Sequence, residues 1–220
     1  GVTMVRDTLT LFGPDWPRRE HFAYYRQKVI CGYSVTALLE VSGLYHWCRQ
    51  KQQKFFSAVT YCAARAIASL PEFCMGLDEM GRPGYYPRMH PSYTVFHPED
   101  HTFSDTWTAF EEPFDRFADA MARDICQAKE KRGVKVKPGQ PKNFFCISCV
   151  PWLSFTGYGV ESQGEFNLFP ILTVGKYEWQ GEKCKMPVSL TISHAAADGY
   201  HTSLFYHRLQ EQIDALSSKE

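Results

Sequence analysis

The sequence has no long hydrophobic run and no excess of charge of either sign. Its 24 lysines and arginines balance its 24 aspartates and glutamates. Without a basic excess, we expect neither nucleic acid nor a membrane as a partner. The longest apolar stretches are far too short to span a bilayer, and residues 1–15 lack the charged and apolar regions of a signal peptide. These absences predict a cytoplasmic protein.

Internal repeats, low-complexity segments and paired metal-binding thiols are also missing. Of the eight cysteines, only Cys146 and Cys149 stand at CxxC spacing, and a four-thiolate zinc site usually needs a second such pair. A redox dithiol normally opens a helix, whereas the surrounding NFFCISCVPW pattern is typical of a strand. We therefore expect reduced, mostly packed thiols and no metal site.

What is present predicts one domain with a sizeable core, since 44% of the 220 residues are hydrophobic. Periodicity predicts helices at about 18–28, 54–70, 106–128 and 200–216. Residue preferences predict strands at about 31–40, 85–97, 143–150, 168–178 and 185–193. The basic, Gly- and Pro-containing segment 129–142 is predicted to be a solvated loop. Because strands and helices mix throughout, the fold class is α/β or α+β with one main sheet.

The stretch TISHAAADGYH, residues 191–201, holds the most informative chemistry. An alternating strand pattern ends at His194, and Asp198 and Gly199 supply turn chemistry before the last predicted helix. The alternatives are a core histidine, a metal site built from His194, Asp198 and His201, and a general base. The strand pattern disfavours the single helical face that a metal site would need. Small alanines beside a histidine at a strand end favour a base near neutral pH.

The HxxxDG pattern of residues 194–199 gains specificity from the rest of the chain. The stretches WPRREHF (16–22), CGYS (31–34), SYTVFH (92–97), TFSDTW (102–107), ISCVPWLSF (147–155) and TVGKY (173–177) accompany it. In order and spacing, they resemble the type A chloramphenicol acetyltransferases over about residues 12–215. HxxxDG alone would also fit distant relatives, the acyltransferase cores of 2-oxo acid dehydrogenase complexes.

The resemblance implies an α/β two-layer sandwich in which helices pack on a mixed sheet, as one CoA-dependent acyltransferase domain over residues 1–220. It implies a homotrimer with active sites at subunit interfaces, acetyl-CoA as co-substrate rather than a permanently bound cofactor, and chloramphenicol as the acceptor. His194 would act as general base in a ternary complex, and Ser148 would hydrogen-bond the oxyanion. Asp198 would pair with Arg18 to shape the loop that presents His194.

Two further sets of residues are implied by the resemblance. The CoA side would comprise Thr173, Tyr177, Lys54, Phe56 and Trp152. The acceptor pocket would comprise Tyr24, Tyr25, Val29, Cys31, Thr94, Phe103, Asp105, Tyr158 and Val160.

Several positions depart from the family's usual residues. Tyr24 and Tyr158 replace phenylalanine, Phe56 replaces a tyrosine, Asp105 replaces a small neutral residue, and Ser193 replaces a second histidine. Because the acetyl-transfer residues are intact, these changes leave a different hydroxylated acceptor as the alternative function. A non-catalytic protein that sequesters hydrophobic ligands is a further alternative, disfavoured by the presence of both His194 and Ser148.

Overall fold

A computed structural model describes residues 6–161 and 167–220 of the chain. The helices are α1 (Arg19–Gln27), α2 (Ser42–Gln50), α3 (Phe55–Ala68), α4 (Phe114–Lys129) and α5 (Gly199–Ser217). The strands are β1 (Thr10–Leu11), β2 (Gly32–Glu40), β3 (Met75–Leu77), β4 (Pro83–Tyr85), β5 (His90–His97), β6 (Thr102–Trp107), β7 (Phe144–Val150), β8 (Ile171–Gly175), β9 (Glu178–Gln180) and β10 (Lys183–Ser193). Within these described ranges, no helix is long and apolar enough to cross a bilayer.

The main sheet is mixed, with strand order β2-β10-β8-β7-β5-β6 and β9 paired to β10. Strand β7 runs parallel to both of its neighbours, β5 and β8. Strand β10 is antiparallel to β2, β8 and β9. A smaller sheet has the order β1-β4-β3. A mixed sheet packed by helices confirms the predicted fold class.

The two faces of the main sheet differ because side chains alternate along each strand. On β10, Met186, Val188, Leu190 and Ile192 are buried in one core with residues of α2, α3, α4 and α5. The opposite face, here called the polar face, carries short polar side chains. Register aligns Ser148 of β7 with Thr173 of β8, and Thr173 with Ser189 of β10. The sheet thus separates an apolar core from a row of hydroxyl groups.

Some predicted boundaries are wrong. The helix predicted over 106–128 begins only at Phe114, after Pro113, and residues 102–107 form β6 instead. Full pairing of β6 with β5 overrides the helical pattern at Thr106 and Trp107. The strand predicted over 85–97 is split between β4 and β5, and that over 168–178 between β8 and β9. Helix α2 was not predicted.

The segment 129–142 is not simply solvated. Val136 is buried, and its backbone N–H donates to the Asp105 carbonyl at 3.2 Å. Lys137 donates through Nζ to the Trp107 carbonyl at 3.0 Å and to Asp124 at 2.8 Å. The segment is therefore fastened along the exposed edge of β6.

The CxxC pair lies on β7, as the strand pattern predicted. A spacing of three residues along a strand turns the two side chains to opposite faces, so Cys146 and Cys149 cannot be bridged. Both thiols are free, and burial raises the pKa of each to about 11. A redox dithiol is therefore excluded at this position.

Candidate active site

His194 directly follows β10 and lies at the end of the main sheet. Its backbone N–H donates to the Cys31 carbonyl at 3.0 Å, which extends the β10–β2 ladder. The N–H groups of Ala196 and Ala197 both point back to the Ser193 carbonyl, at 3.0 and 3.3 Å. This tight turn of small residues places His194 at the boundary between the core and the surface, with 31% of its side chain exposed.

Aromatic rings confine the imidazole of His194. The Tyr25 ring is stacked on it with a centroid separation of 3.9 Å and an interplanar angle of 5°. Tyr33 approaches edge-on at 5.4 Å. The family resemblance implies that Tyr25 lies in the acceptor pocket. No local sequence pattern indicated its contact with the imidazole of His194. These two rings restrict the imidazole to a narrow range of orientations.

The Nδ1 atom of His194 is buried and lies 2.9 Å from Oδ1 of Asp198. The two atoms are close but do not form a hydrogen bond, so the contact is electrostatic. A carboxylate at this distance favours the tautomer with the proton on Nδ1. That tautomer leaves the lone pair on Nε2, the form a general base requires.

Arg18 holds both the Asp198 carboxylate and the backbone of the turn. Its Nε donates to Oδ2 of Asp198 at 3.0 Å, and its Nη2 donates to Oδ1 at 2.8 Å. The same buried guanidinium donates to the carbonyls of His194, Ala195 and Ala196 at 2.8–2.9 Å. Burial raises the pKa of Asp198, but the hydrogen bonds and charge of Arg18 outweigh it and hold that pKa below its ordinary value.

The metal hypothesis finds no support in the geometry. His201 Nδ1 accepts a hydrogen bond from the Asp198 backbone N–H at 3.0 Å, while His194 faces the Asp198 side chain. Across residues 6–161 and 167–220, no group of three His, Cys, Asp or Glu side chains is arranged to hold a metal ion. The His194 ring faces the Asp198 carboxylate, whereas the His201 ring faces the Asp198 backbone, so the three side chains do not converge on one point.

Ser148 lies on the polar face, distant from His194 within one protomer. Ser148 aligns with Thr173, and Thr173 aligns with Ser189, five residues before His194. With a rise of about 3.3 Å per residue and strands about 4.8 Å apart, the Cα atoms of Ser148 and His194 are about 19 Å apart. A single protomer therefore does not bring the two predicted catalytic side chains together.

The residues implied on the CoA side lie at three places. Phe56 and Tyr177 line a cavity of about 360 Å³ between α3 and the ends of β7 and β8, and exposed Lys54 immediately precedes α3. Thr173 is buried on the polar face. Trp152 is 59% exposed and contacts Phe96 edge-on.

The residues implied in the acceptor pocket form three clusters. Tyr24, Tyr25, Val29 and Cys31 lie near His194, at the end of α1 and in the loop before β2. Thr94, Phe103 and Asp105 lie on the antiparallel pair β5–β6. Tyr158 and Val160 follow β7 and cover β2 and β10, where their backbone N–H groups donate to Thr36 and Thr191.

Asp105 has a partner that the sequence did not reveal. Its carboxylate lies 3.1 Å from Nζ of Lys135, and the two residues form a backbone bridge. Register places Asp105 opposite Thr94, and Thr94 follows Tyr93, which pairs with Ile147. Asp105 thus lies on the polar face, two strands from Ser148. Its charge is partly neutralised.

Comparison with known proteins agrees with this architecture. The chloramphenicol acetyltransferase family profile matches residues 10–210. A chloramphenicol acetyltransferase of Clostridium perfringens is 37% identical over 198 residues, 90% of each chain. One of Clostridium butyricum is 38% identical over 198 residues, 89% of this chain and 90% of that protein.

Solved structures show the same fold. A chloramphenicol acetyltransferase superposes with a TM-score of 0.81 at 24% identity, covering 94% of this chain and all of that one. A probable dihydrolipoamide acetyltransferase of Listeria monocytogenes has a TM-score of 0.66 at 12% identity, covering 91% of each chain, a likeness of fold alone. Together with the matched profile and the two relatives, these findings confirm the resemblance, and the protein belongs to the chloramphenicol acetyltransferase family.

Proposed function

We propose that this protein transfers the acetyl group of acetyl-CoA to a hydroxyl of chloramphenicol and thereby inactivates the antibiotic. The family, and relatives that bear this name over about nine-tenths of the chain, support an acyltransferase with this acceptor. The observation that supports this reaction is the environment of His194. Its Nδ1 faces a carboxylate held by Arg18, which directs the basic lone pair to Nε2.

The reaction proceeds in a ternary complex without an acyl-enzyme. Nε2 of His194 takes the proton of the acceptor hydroxyl as that oxygen bonds to the thioester carbonyl carbon, a step worth about 10²–10⁴ in rate. The Ser148 hydroxyl donates to the resulting oxyanion. When the tetrahedral intermediate collapses, the carbon–sulfur bond breaks and the thiolate of CoA takes the proton back from the imidazolium. The products are the acetyl ester, free CoA and a neutral base.

The acetyl-CoA side uses the cavity beside α3. Lys54 binds a CoA phosphate as a point charge, since a lysine ammonium suits this role. Phe56 supplies an aromatic face for the adenine, and Tyr177 lines the same cavity. Exposed Trp152, which lies outside that lining, walls the pantetheine path. Thr173, beside Ser148 on the polar face, holds a water near the transition state. Acetyl-CoA is a co-substrate and not a resident cofactor.

The acceptor occupies the surface formed by the three clusters described above, from Tyr24, Tyr25, Val29 and Cys31 through Thr94, Phe103 and Asp105 to Tyr158 and Val160. Two tyrosine hydroxyls and the Asp105–Lys135 pair make this surface more polar than phenylalanine and a small residue would. Chloramphenicol is itself a polar, hydroxylated molecule. A different hydroxylated acceptor is the second candidate, and Asp105 is the observation that favours it.

The assembly we propose is a homotrimer with each site at a subunit interface. A separation of about 19 Å between His194 and Ser148 within one protomer is too long for one tetrahedral intermediate to contact both. A site shared by two protomers removes this difficulty. Large apolar side chains support such an interface, because Leu38, Trp152 and Leu153 are each about 60% exposed in the isolated chain.

Shared sites have a direct test. Two inactive variants, His194→Ala and Ser148→Ala, are mixed under denaturing conditions and refolded together. If each site takes His194 from one protomer and Ser148 from another, about a quarter of the sites in randomly mixed cyclic oligomers carry both intact side chains. Recovery of activity supports the shared site. Absence of recovery, with refolded wild type active, refutes it.

We also propose that the chain forms a single domain over residues 1–220 and works in the cytoplasm. All eight cysteines are free, and reduced thiols are typical of a reducing compartment. One core cluster draws residues from α2 through α5 and from most strands of the main sheet, which supports a single folding unit.

Release of the CoA thiol from acetyl-CoA tests the proposed activity. Wild type is compared with His194→Ala, with and without chloramphenicol, and exposed His207→Ala on α5 is the matched control. Release that requires chloramphenicol and His194, but not His207, supports the proposal. Release with other hydroxylated compounds alone assigns a different acceptor. Binding of chloramphenicol without release for any acceptor indicates a sequestering protein.

A further inference from the structure

Four residues, alternately histidine and acidic, form a line of contacts that leads away from the imidazole of His194. His194 Nδ1 lies 2.9 Å from Asp198 Oδ1. The backbone N–H of Asp198 donates to Nδ1 of His201 at 3.0 Å. Nε2 of His201 lies 3.7 Å from Oε1 of Glu72, at the short 3-10 turn Pro71–Phe73. The line joins the end of β10, the start of α5 and the segment after α3.

The hydrogen bond at His201 requires one particular form of its ring. Nδ1 accepts a hydrogen bond from the Asp198 backbone N–H, so it must carry a lone pair rather than a hydrogen. The hydrogen of the ring therefore lies on Nε2, which is 3.7 Å from Oε1 of Glu72. His201 is only 16% exposed, so water has little access to replace this acceptor. The ring is thus an oriented acceptor rather than a solvated side chain.

The bond acts on the residue that faces the catalytic base. Asp198 has an extended backbone, with φ −105° and ψ 177°, between the turn of alanines and α5. Arg18 holds its carboxylate from one side, and His201 holds its backbone from the other. Without the His201 acceptor, the Asp198 N–H loses its partner, and the backbone that carries the carboxylate loses one of its restraints. A displacement there reaches His194 through the 2.9 Å contact.

We propose that His201 is a positioning residue for acetyl transfer: it fixes Asp198, which in turn orients the imidazole of His194. The inference rests on the proposed function for its catalytic consequence, but its geometric content is independent of any substrate. His201 does not contact the reacting atoms in this scheme. Glu72 acts indirectly, because it holds the His201 ring with Nδ1 towards Asp198.

The position of His201 suggests a selective set of variants. It is the third residue of α5, where helices commonly carry Glu or Gln to accept the N-cap N–H. His201→Gln keeps an acceptor at this place, whereas His201→Leu keeps a similar volume without one. His207→Leu is the matched control, because His207 is exposed two turns further along the same helix.

Steady-state kinetics with acetyl-CoA and chloramphenicol is the first measurement. We expect His201→Leu to lower kcat on the order of 10- to 100-fold, the scale of a small misplacement of a catalytic group, with both KM values nearly unchanged. His201→Gln should recover most of kcat, and His207→Leu should equal wild type. Wild-type kcat in His201→Leu, or equal losses in the Leu and Gln variants, overturns the proposal. If His201→Leu does not fold, Glu72→Gln replaces it, with a smaller loss of kcat expected and wild-type kcat contradicting the proposal.

Nitrogen NMR of 15N-histidine-labelled protein is the second measurement and needs no substrate. The proposal requires a His201 ring with hydrogen on Nε2, and His194 signals that shift in Glu72→Gln and His201→Leu but not in His207→Leu. A hydrogen on Nδ1 of His201 refutes it. If wild type has this spectrum but does not acetylate chloramphenicol, the proposed function fails while the arrangement of His194, Asp198 and His201 stands.

Discussion

His90 and His194 each lie against a carboxylate, and the difference between them shows what a general base needs. His90 on β5 is fully buried, with Nε2 2.8 Å from Oδ2 of Asp7 and Nδ1 accepting the Phe110 backbone N–H at 2.9 Å. His194 is 31% exposed, with Nδ1 against Asp198. In the described residues, no group forms a hydrogen bond with Nε2 of His194.

The carboxylate neighbour is therefore not what distinguishes a base from a structural histidine. In His90 both ring nitrogens are occupied, so no lone pair is available to a substrate. In His194 one nitrogen is oriented by the protein and the other remains for chemistry. A histidine beside an aspartate acquires a catalytic role only when its second nitrogen reaches a site that a substrate can enter.

The largest expected effect is the loss of turnover on substitution of His194, which substitution of His90 should not cause. We expect His194→Leu to lower kcat by about 10²–10⁴ or more with little change in stability. We expect His90→Leu to lower the free energy of unfolding by about 1–3 kcal/mol, because Asp7 and the Phe110 N–H each lose a buried partner. Thiol-release kinetics and urea denaturation measure both. Loss of turnover in folded His90→Leu protein would contradict the assignment of His90 as a purely structural histidine.

Removal of the oxyanion donor is the next largest effect. We expect Ser148→Ala to lower kcat by about 10²–10³ without changing the thermal midpoint, since Ser148 is half-buried on the polar face. Ser203→Ala, the same change at an exposed position of α5, is the control. A Ser148→Ala enzyme with wild-type kcat would show that His194 works without a donor from this strand.

The two carboxylates give a third contrast. Arg18→Met leaves the Asp198 charge and three carbonyls without their donor, and we expect a loss of about 3 kcal/mol in stability, within the range for a broken buried pair. Turnover should fall as well. Asp7→Asn should lower stability but leave the kcat of the folded protein unchanged. Equal kinetic effects of the two variants would contradict the distinction.

The pH dependence of stability sharpens the contrast further. Burial lowers the pKa of His90 below its ordinary 6.5, against the opposing effect of Asp7. Below about pH 6.5 the unfolded chain therefore binds a proton that folded His90 resists, so stability falls as the pH falls. Urea midpoints between pH 7 and 5 should drop in wild type and in His207→Leu. The slope should be smaller in His90→Leu, and an unchanged slope would exclude His90 as its source.

At lower pH, the carboxylates of Asp7 and Asp198 contribute to the pH dependence of stability. Asn143, His90 and Arg88 outweigh burial and lower the pKa of Asp7, as Arg18 does for Asp198, from an ordinary 3.8. Their stabilisation is present above that value and is lost as the pH falls through the folded pKa.

The smallest expected effect concerns the acceptor side. Lys135→Gln breaks a largely exposed ion pair, so we expect a change in stability of less than about 1 kcal/mol. If Asp105 lines the acceptor pocket, Asp105→Asn should change KM for chloramphenicol and leave KM for acetyl-CoA unchanged. Exposed Asp115→Asn on α4 is the control. An unchanged acceptor KM would place Asp105 outside the pocket.

Local pattern was a good guide to the region around His194. Alternation up to Ser193, the Asp198–Gly199 turn and the periodicity of α5 placed His194 at a strand-to-helix junction, and the structure has that junction. The same approach failed at 106–113, because pairing of β6 with β5 competes with helical periodicity and only the folded sheet decides between them.

The sequence alone therefore determined the elements on either side of the base, the family, and the residue types available for acetyl transfer. Tertiary structure alone decided which partners they meet: Tyr25 on His194, Lys135 at Asp105, and Ser148 far from His194 in its own protomer. The physical reason is that spacings of a few residues define helices, turns and strand faces. Long-range contacts depend on strand register, where a shift of one residue would turn every side chain to the other face.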